Sequence, residues 1–169
     1  MQAAVRWGIT LVWAALIFTL STETYANSLS ALLLRDFLDL LRVTVSPATF
    51  DTLHHLLRKS AHVTEYAIFG MLLYHCLLGS NRTVWRAKLA ALSVLIAGAY
   101  SLTDEFHQIF VPGRTASLLD CGLDTMGAML GMLLVLAWSR TFARREPVRV
   151  MSQEKPAGEL LAGRTLENP

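Results

Sequence analysis

Six side chains able to do chemistry fall in one stretch from Thr103 to Asp120: Asp104, Glu105, His107, Gln108, Arg114 and Asp120. Apolar runs flank the stretch on both sides. Asp104 and Gln108 are i,i+4 and share a helical face, and His107 points off it. Val111-Pro112-Gly113 is expected to stop that helix, because Pro removes a donor and Gly supplies a permissive turn. Arg114 then lies on a short connection. Ser117-Leu-Leu-Asp120 reads as a capping box that opens the next helix, with Asp120 favoured at its positive end. Capping leaves Asp124, one turn further on, without an explanation.

A second polar group lies upstream. Lys59, His62 and Glu65 follow one another at i,i+3, with Tyr66 beside them. Lys59 and Arg114 suit anionic groups; Asp104, Gln108 and Asp120 suit hydrogen bonds that orient them. His62 or Glu65 is the candidate general base if a reaction occurs. The plain alternatives are a snorkelling Lys59, a capping Asp120 and an internal ion pair for Arg114. No HExxH or other dense ligand motif occurs, so no metal and no cofactor is expected.

These residues need a scaffold, and the composition limits which. The chain has 169 residues, 53% of them hydrophobic and 17% charged, which points to one membrane domain. A net charge of +2 gives no reason to expect a nucleic-acid partner. Cys76 and Cys121 show no metal spacing and read as packing residues. Four spans are expected. Their charge-free cores are Trp7–Thr22, Tyr66–Asn81, Leu89–Thr103 and Thr125–Ser139. Crossing ~30 Å of hydrocarbon takes about 20 residues, so the polar residues at the span ends must sit in the outer part of the bilayer. The first core also fits a signal peptide, but three further spans favour an uncleaved first helix.

Between spans one and two, Ser30 to Arg42 repeats leucines at helical spacing, with Arg35, Asp39 and Arg42 on one face and Leu33, Phe37, Leu40 and Leu41 on another. Such a helix either covers the bundle or lies in the membrane interface. Ser46-Pro47 opens another helix, Ser as N-cap and Pro at the first position. The second span is expected over 60–79. Gly127 and Gly131 permit a close helix contact. The tail over 146–169 reads as disordered.

Four spans put both termini on one side, with Arg6, Arg82, Arg86, Lys88, Arg140, Arg144, Arg145, Arg149, Lys155 and Arg164. The other side holds Arg35, Arg42, Arg58, Lys59 and Arg114. That split places the termini in the cytoplasm. Lys59, His62, Glu65, Asp104, Glu105, Gln108, Arg114 and Asp120 then converge on the extracytoplasmic side. A cavity lined by both His62 and Asp104 is expected there.

Three blocks resemble the VanZ-like family of bacterial membrane proteins: Arg58-Lys-Ser-Ala-His-Val-Thr-Glu-Tyr66 with Gly70; Asp104-Glu-Phe-His-Gln-Ile-Phe-Val-Pro-Gly-Arg114; and Ser117-Leu-Leu-Asp120 through Asp124 to Gly131. Leu20-Ser21-Thr22-Glu23 departs from the Ser-Ser-Gln often found there in the family. The resemblance implies a VanZ-like transmembrane domain over 1–145, a cytoplasmic tail over 146–169 and a multi-pass location in the bacterial inner membrane. The family's namesake is an accessory factor in resistance to teicoplanin, and no established reaction comes with the likeness. The expected fold is an all-α bundle of four transmembrane helices with an amphipathic insert between the first two. The expected function is non-enzymatic: an outer polar pocket of Lys59, His62, Glu65, Tyr66, Asp104, Glu105, Gln108, Arg114, Asp120 and Asp124. Its ligand would be a lipid-linked or anionic envelope molecule, such as a cell-wall precursor, with membrane lipids around it. The alternatives are a membrane enzyme acting on such a lipid and a proton-coupled transporter.

Overall fold

The computed structural model describes residues 2–21, 24–79, 85–110 and 117–143. They form five helices: α1 (Gln2–Ser21), α2 (Thr24–Leu40), α3 (Pro47–Leu78), α4 (Ala87–Gln108) and α5 (Leu118–Ala143). Among the described residues there is no strand. The Val111-Pro112-Gly113 stop, Arg114 and the tail lie outside the described residues.

Ser46 caps α3 as its sequence suggests: its Oγ accepts from the Thr49 amide at 3.2 Å, and Pro47 takes the first position. The helix then runs unbroken to Leu78, about 48 Å at 1.5 Å per residue. The expected separate span over 60–79 is thus the second half of one long helix. No Pro or Gly occurs between Ala48 and Phe69 to part them. Gly79 closes it at φ 69°, where a side chain would be strained.

Helices α1 and α3 pack antiparallel. Arg6 donates to the Gly79 carbonyl (2.6 Å), Thr10 meets Cys76 Sγ (3.1 Å), and Trp13 donates to the Glu65 carbonyl (3.1 Å), so α1 runs against α3 along most of its length. Tyr100 ties α4 to the Ala14 carbonyl of α1 (2.7 Å). The closest pair is α3 with α5. There a Cβ at Gly127 or Gly131 would collide with the Val63 or Ala67 carbonyl oxygen, so only glycine lets the two backbones approach this far. The apolar core gathers Ile17, Tyr66, Phe69, Leu73, Ala97 and Ala128.

Helices α1, α4 and α5 are long and apolar enough to cross a membrane. Helix α3 falls short by composition, because His62, Thr64, Glu65 and His75 dilute its apolar half. Helix α2 stands apart. It faces α3 through Ser30, bonded to His54 at 2.8 Å, and Arg35, over the Phe50 ring at 5.6 Å. Its Leu32, Leu33, Phe37 and Leu40 are left exposed. Ala31, Leu34 and Leu38 of the same helix are half-buried.

Candidate functional site

One end of the bundle is polar: the end where α1 and α4 finish and α5 begins. Helix α4 brings Ser101, Asp104, Glu105 and Gln108 to it on a single i, i+3, i+4, i+7 face, and all four are buried. Gln108 Nε2 donates to Ser21 Oγ (2.8 Å) on α1, with Asp104 Oδ2 at 3.3 Å. That fastens two parallel helix ends. The segment that departs from the family's pattern thus supplies a working serine, since Ser21 is fully buried.

From α3, Lys59 donates to Asp120 Oδ1 at 2.8 Å, both side chains more than a third exposed. One turn deeper, His62 Nδ1 lies 3.8 Å from Asp124 Oδ1 and 4.0 Å from Glu65 Oε2. Both separations are beyond hydrogen-bond length and within reach of an ion pair. Asp124 is buried and accepts from Ser101 Oγ at 2.7 Å. The Tyr66 hydroxyl, fully buried, faces Ser101, Asp124 and Asp104 and makes no hydrogen bond of normal geometry among the described residues.

The capping box does not form as the sequence suggests. Ser117 Oγ accepts from the Leu119 amide (3.3 Å), but Asp120 does not reach back to the Ser117 N–H. Glu105 of α4 takes that N–H instead, at 2.7 Å, and frees Asp120 for Lys59. A carboxylate from the neighbouring helix wins because the hairpin brings the end of α4 against the start of α5. Glu105, a candidate ligand residue, is therefore held as a helix cap. His107 turns away from the cluster onto Phe18, ring centroids 4.4 Å apart.

A cavity of about 310 Å³ opens between α1, α2 and α3. Its polar wall is Arg58, His62 and Glu65, one face of α3. Its apolar walls are Leu20, Leu29, Leu33 and Leu57. Asp104 is not among the residues lining this cavity; its Oδ2 turns inward to Gln108. His62 is the residue that touches both the cavity and the buried Asp124. Among the described residues, no group of three or more His, Cys, Asp or Glu is placed to hold a metal ion.

Sequence reasoning passed over Ser21 and Ser101. The signal for Ser101 was present: it falls on the same helical face as Asp104 and Gln108. For Ser21 the only signal was its place in the turn where the resembled family often has Ser-Ser-Gln; its partner lies 87 residues away.

A sequence model of the VanZ/LLP1 family matches residues 7–139, which spans α1 to α5 and every candidate site residue. The chain belongs to the VanZ/LLP1 family. No curated protein and no solved structure matches it. In this VanZ/LLP1 chain the described residues of all three blocks of the likeness sit at the polar end or lead into it.

Proposed function

We propose that this VanZ/LLP1 protein crosses the bacterial inner membrane four times, with both termini cytoplasmic, and holds the polar headgroup of a lipid-linked envelope molecule at its outer end. Support for the fourth span comes from α1. That helix is apolar enough to cross and is bonded to α3 at Gly79, Cys76 and Glu65, so a membrane that encloses α1 encloses the second half of α3 as well. The uneven distribution of basic residues supports the orientation. The first half of α3 and α2 then stand at the outer surface, where the exposed leucines of α2 rest in the lipid interface.

One observation carries the binding reading: polar side chains from α3, α4 and α5 meet inside an apolar bundle, beside a cavity whose α3 wall carries charge and whose α1 and α2 walls are mainly leucine. Ionisable groups at membrane depth are costly and face interiors where they have work to do. Native mass spectrometry of the gently purified protein checks the reading: a lipid should stay bound to the wild type and be lost from His62→Ala. Retention of the same lipids by both would overturn it. The orientation has its own check. In a background lacking Cys76 and Cys121, Leu118→Cys should react with an impermeant thiol reagent in intact cells and Lys88→Cys should not. For the cell, the proposal implies that deleting the gene shifts teicoplanin susceptibility; an unchanged inhibitory concentration would remove that link.

A further inference from the structure

We infer that His62 is a proton-operated latch between α3 and α5: with a proton its ring closes onto Asp124 and Glu65, and without one the ring is released to the cavity wall. This names a regulation of the binding site and rests on that reading only for its consequence at the cavity.

Two pairs join α3 to α5 at the polar end. Lys59 and Asp120 form the outer one, closed at 2.8 Å. His62 and Asp124 form the inner one, a turn deeper on each helix, with Nδ1 3.8 Å from Oδ1. That distance is too long for a hydrogen bond and short enough for an ion pair. Histidine is the side chain whose ordinary titration falls between about pH 5 and 8, so this inner pair gains its attraction when a proton arrives. The outer pair needs none.

The groups around the ring favour the charged form. On α3, Glu65 Oε2 lies 4.0 Å from Nδ1, Arg58 shares the cavity wall, and Lys59 is held by Asp120. On α5, Asp124 is buried, and its other oxygen accepts from Ser101. Helix α4 adds Asp104 and Glu105, both buried. The lining residues of α1 and α2, Leu20, Leu29, Ser30 and Leu33, bring no titratable group. A carboxylate on either side of the ring attracts a positive charge more strongly here than in bulk water. The His62 side chain is 24% exposed against 4% for Asp124, so the ring can exchange its proton from the cavity. The backbones cannot follow the closure, because Gly127 and Gly131 already abut the Val63 and Ala67 carbonyls. The latch is thus a movement of the ring, which brings Nδ1 from 3.8 Å to about 3 Å from Asp124. His62 and Glu65 also line the cavity, so the same proton sets the charge that a headgroup meets.

The test compares thermal unfolding midpoints of the full chain in a neutral detergent at about pH 8 and about pH 6. Stability lent by a charge on His62 is present in acid and is lost as the pH rises. Each protein's own midpoint at the higher pH is its reference. On acidification the wild type should gain at least about 2 °C over His62→Gln. The other histidines are common to both proteins and cancel. Asp124→Asn should lose the same increment, and the double variant should lose no more than either single one. A merely structural role for either residue would shift the midpoint equally at both pH values. Asp124→Asn keeps the inference testable should His62→Gln fail to fold. Equal increments in the wild type and in whichever of these variants fold would overturn the latch. Lipid retention in native mass spectra tests the cavity separately, so the loss of one reading does not carry the other.

Discussion

The two ends of the bundle are built from different bonds. At the end where α1 begins and α3 finishes, the polar contacts run mainly to backbone: Arg6 to the Gly79 carbonyl, and the Arg86 amide to the Tyr74 hydroxyl (3.1 Å). Packing does the rest, with Tyr74 against Trp85 at a centroid distance of 5.2 Å and Met132 beneath. At the opposite end the contacts run mainly from side chain to side chain, among charged, amide and hydroxyl groups and mostly between different helices. Backbone groups are fixed by the fold and cannot be repurposed without unfolding it. Side-chain pairs can exchange partners, for a water or for a ligand. A protein that needed only a membrane bundle could close both ends in the first manner, and the second manner is where a ligand can be received.

The largest expected effect lies between the two ends. Gly131→Leu forces a side chain into the Ala67 carbonyl and must push α5 off α3. Overpacking costs typically about 1–3 kcal/mol, and a backbone obstacle puts this case at the upper end or beyond. Loss of the monodisperse peak on size exclusion, or a collapse in unfolding temperature, is the expected readout. A tolerated leucine would mean that the α3–α5 contact is looser than described.

Asp124 separates structure from function at the polar end. Asp124→Leu strands the Ser101 hydroxyl in a buried site and should cost about 1–3 kcal/mol in detergent melts. Asp124→Asn keeps an acceptor for Ser101 and should melt near the wild type. It should nonetheless retain less lipid, because it withdraws the charge facing His62. Equal lipid retention in wild type and Asp124→Asn would make Asp124 a purely structural residue and blur the contrast between the ends.

Glu105→Ala removes the cap that α4 lends to α5, and about 1 kcal/mol of stability should go with it, as for other N-terminal caps. Glu105→Gln should restore much of this, since its amide oxygen still accepts from Ser117. A failure to restore would show that the charge matters more than the cap. The smallest effect is expected at Lys59. Its pair with Asp120 is more than a third exposed, so Lys59→Ala should cost less than about 1 kcal/mol, and exchanging the two residues should restore what is lost.

Local pattern was enough for several features of this chain. Leucine spacing and charge-free runs gave the helices, Ser46-Pro47 gave the start of α3, and the glycine pair gave a close contact. Ionisable residues at three span ends were enough to expect a polar end, because in a bilayer such groups turn inward. Which partner each residue takes on another helix was decided by tertiary structure alone. Asp120 reads as a cap because a four-residue window sees only Ser117, whereas the hairpin places Glu105 on that amide and leaves Asp120 for Lys59, 61 residues away. Asp104 and Asp124 look equivalent along the chain. In space one is turned to Gln108, and the other lies behind His62 at the cavity. Helical periodicity assigns a side chain to a face, but only the crossing of two particular helices sets which groups come within 3 Å of each other.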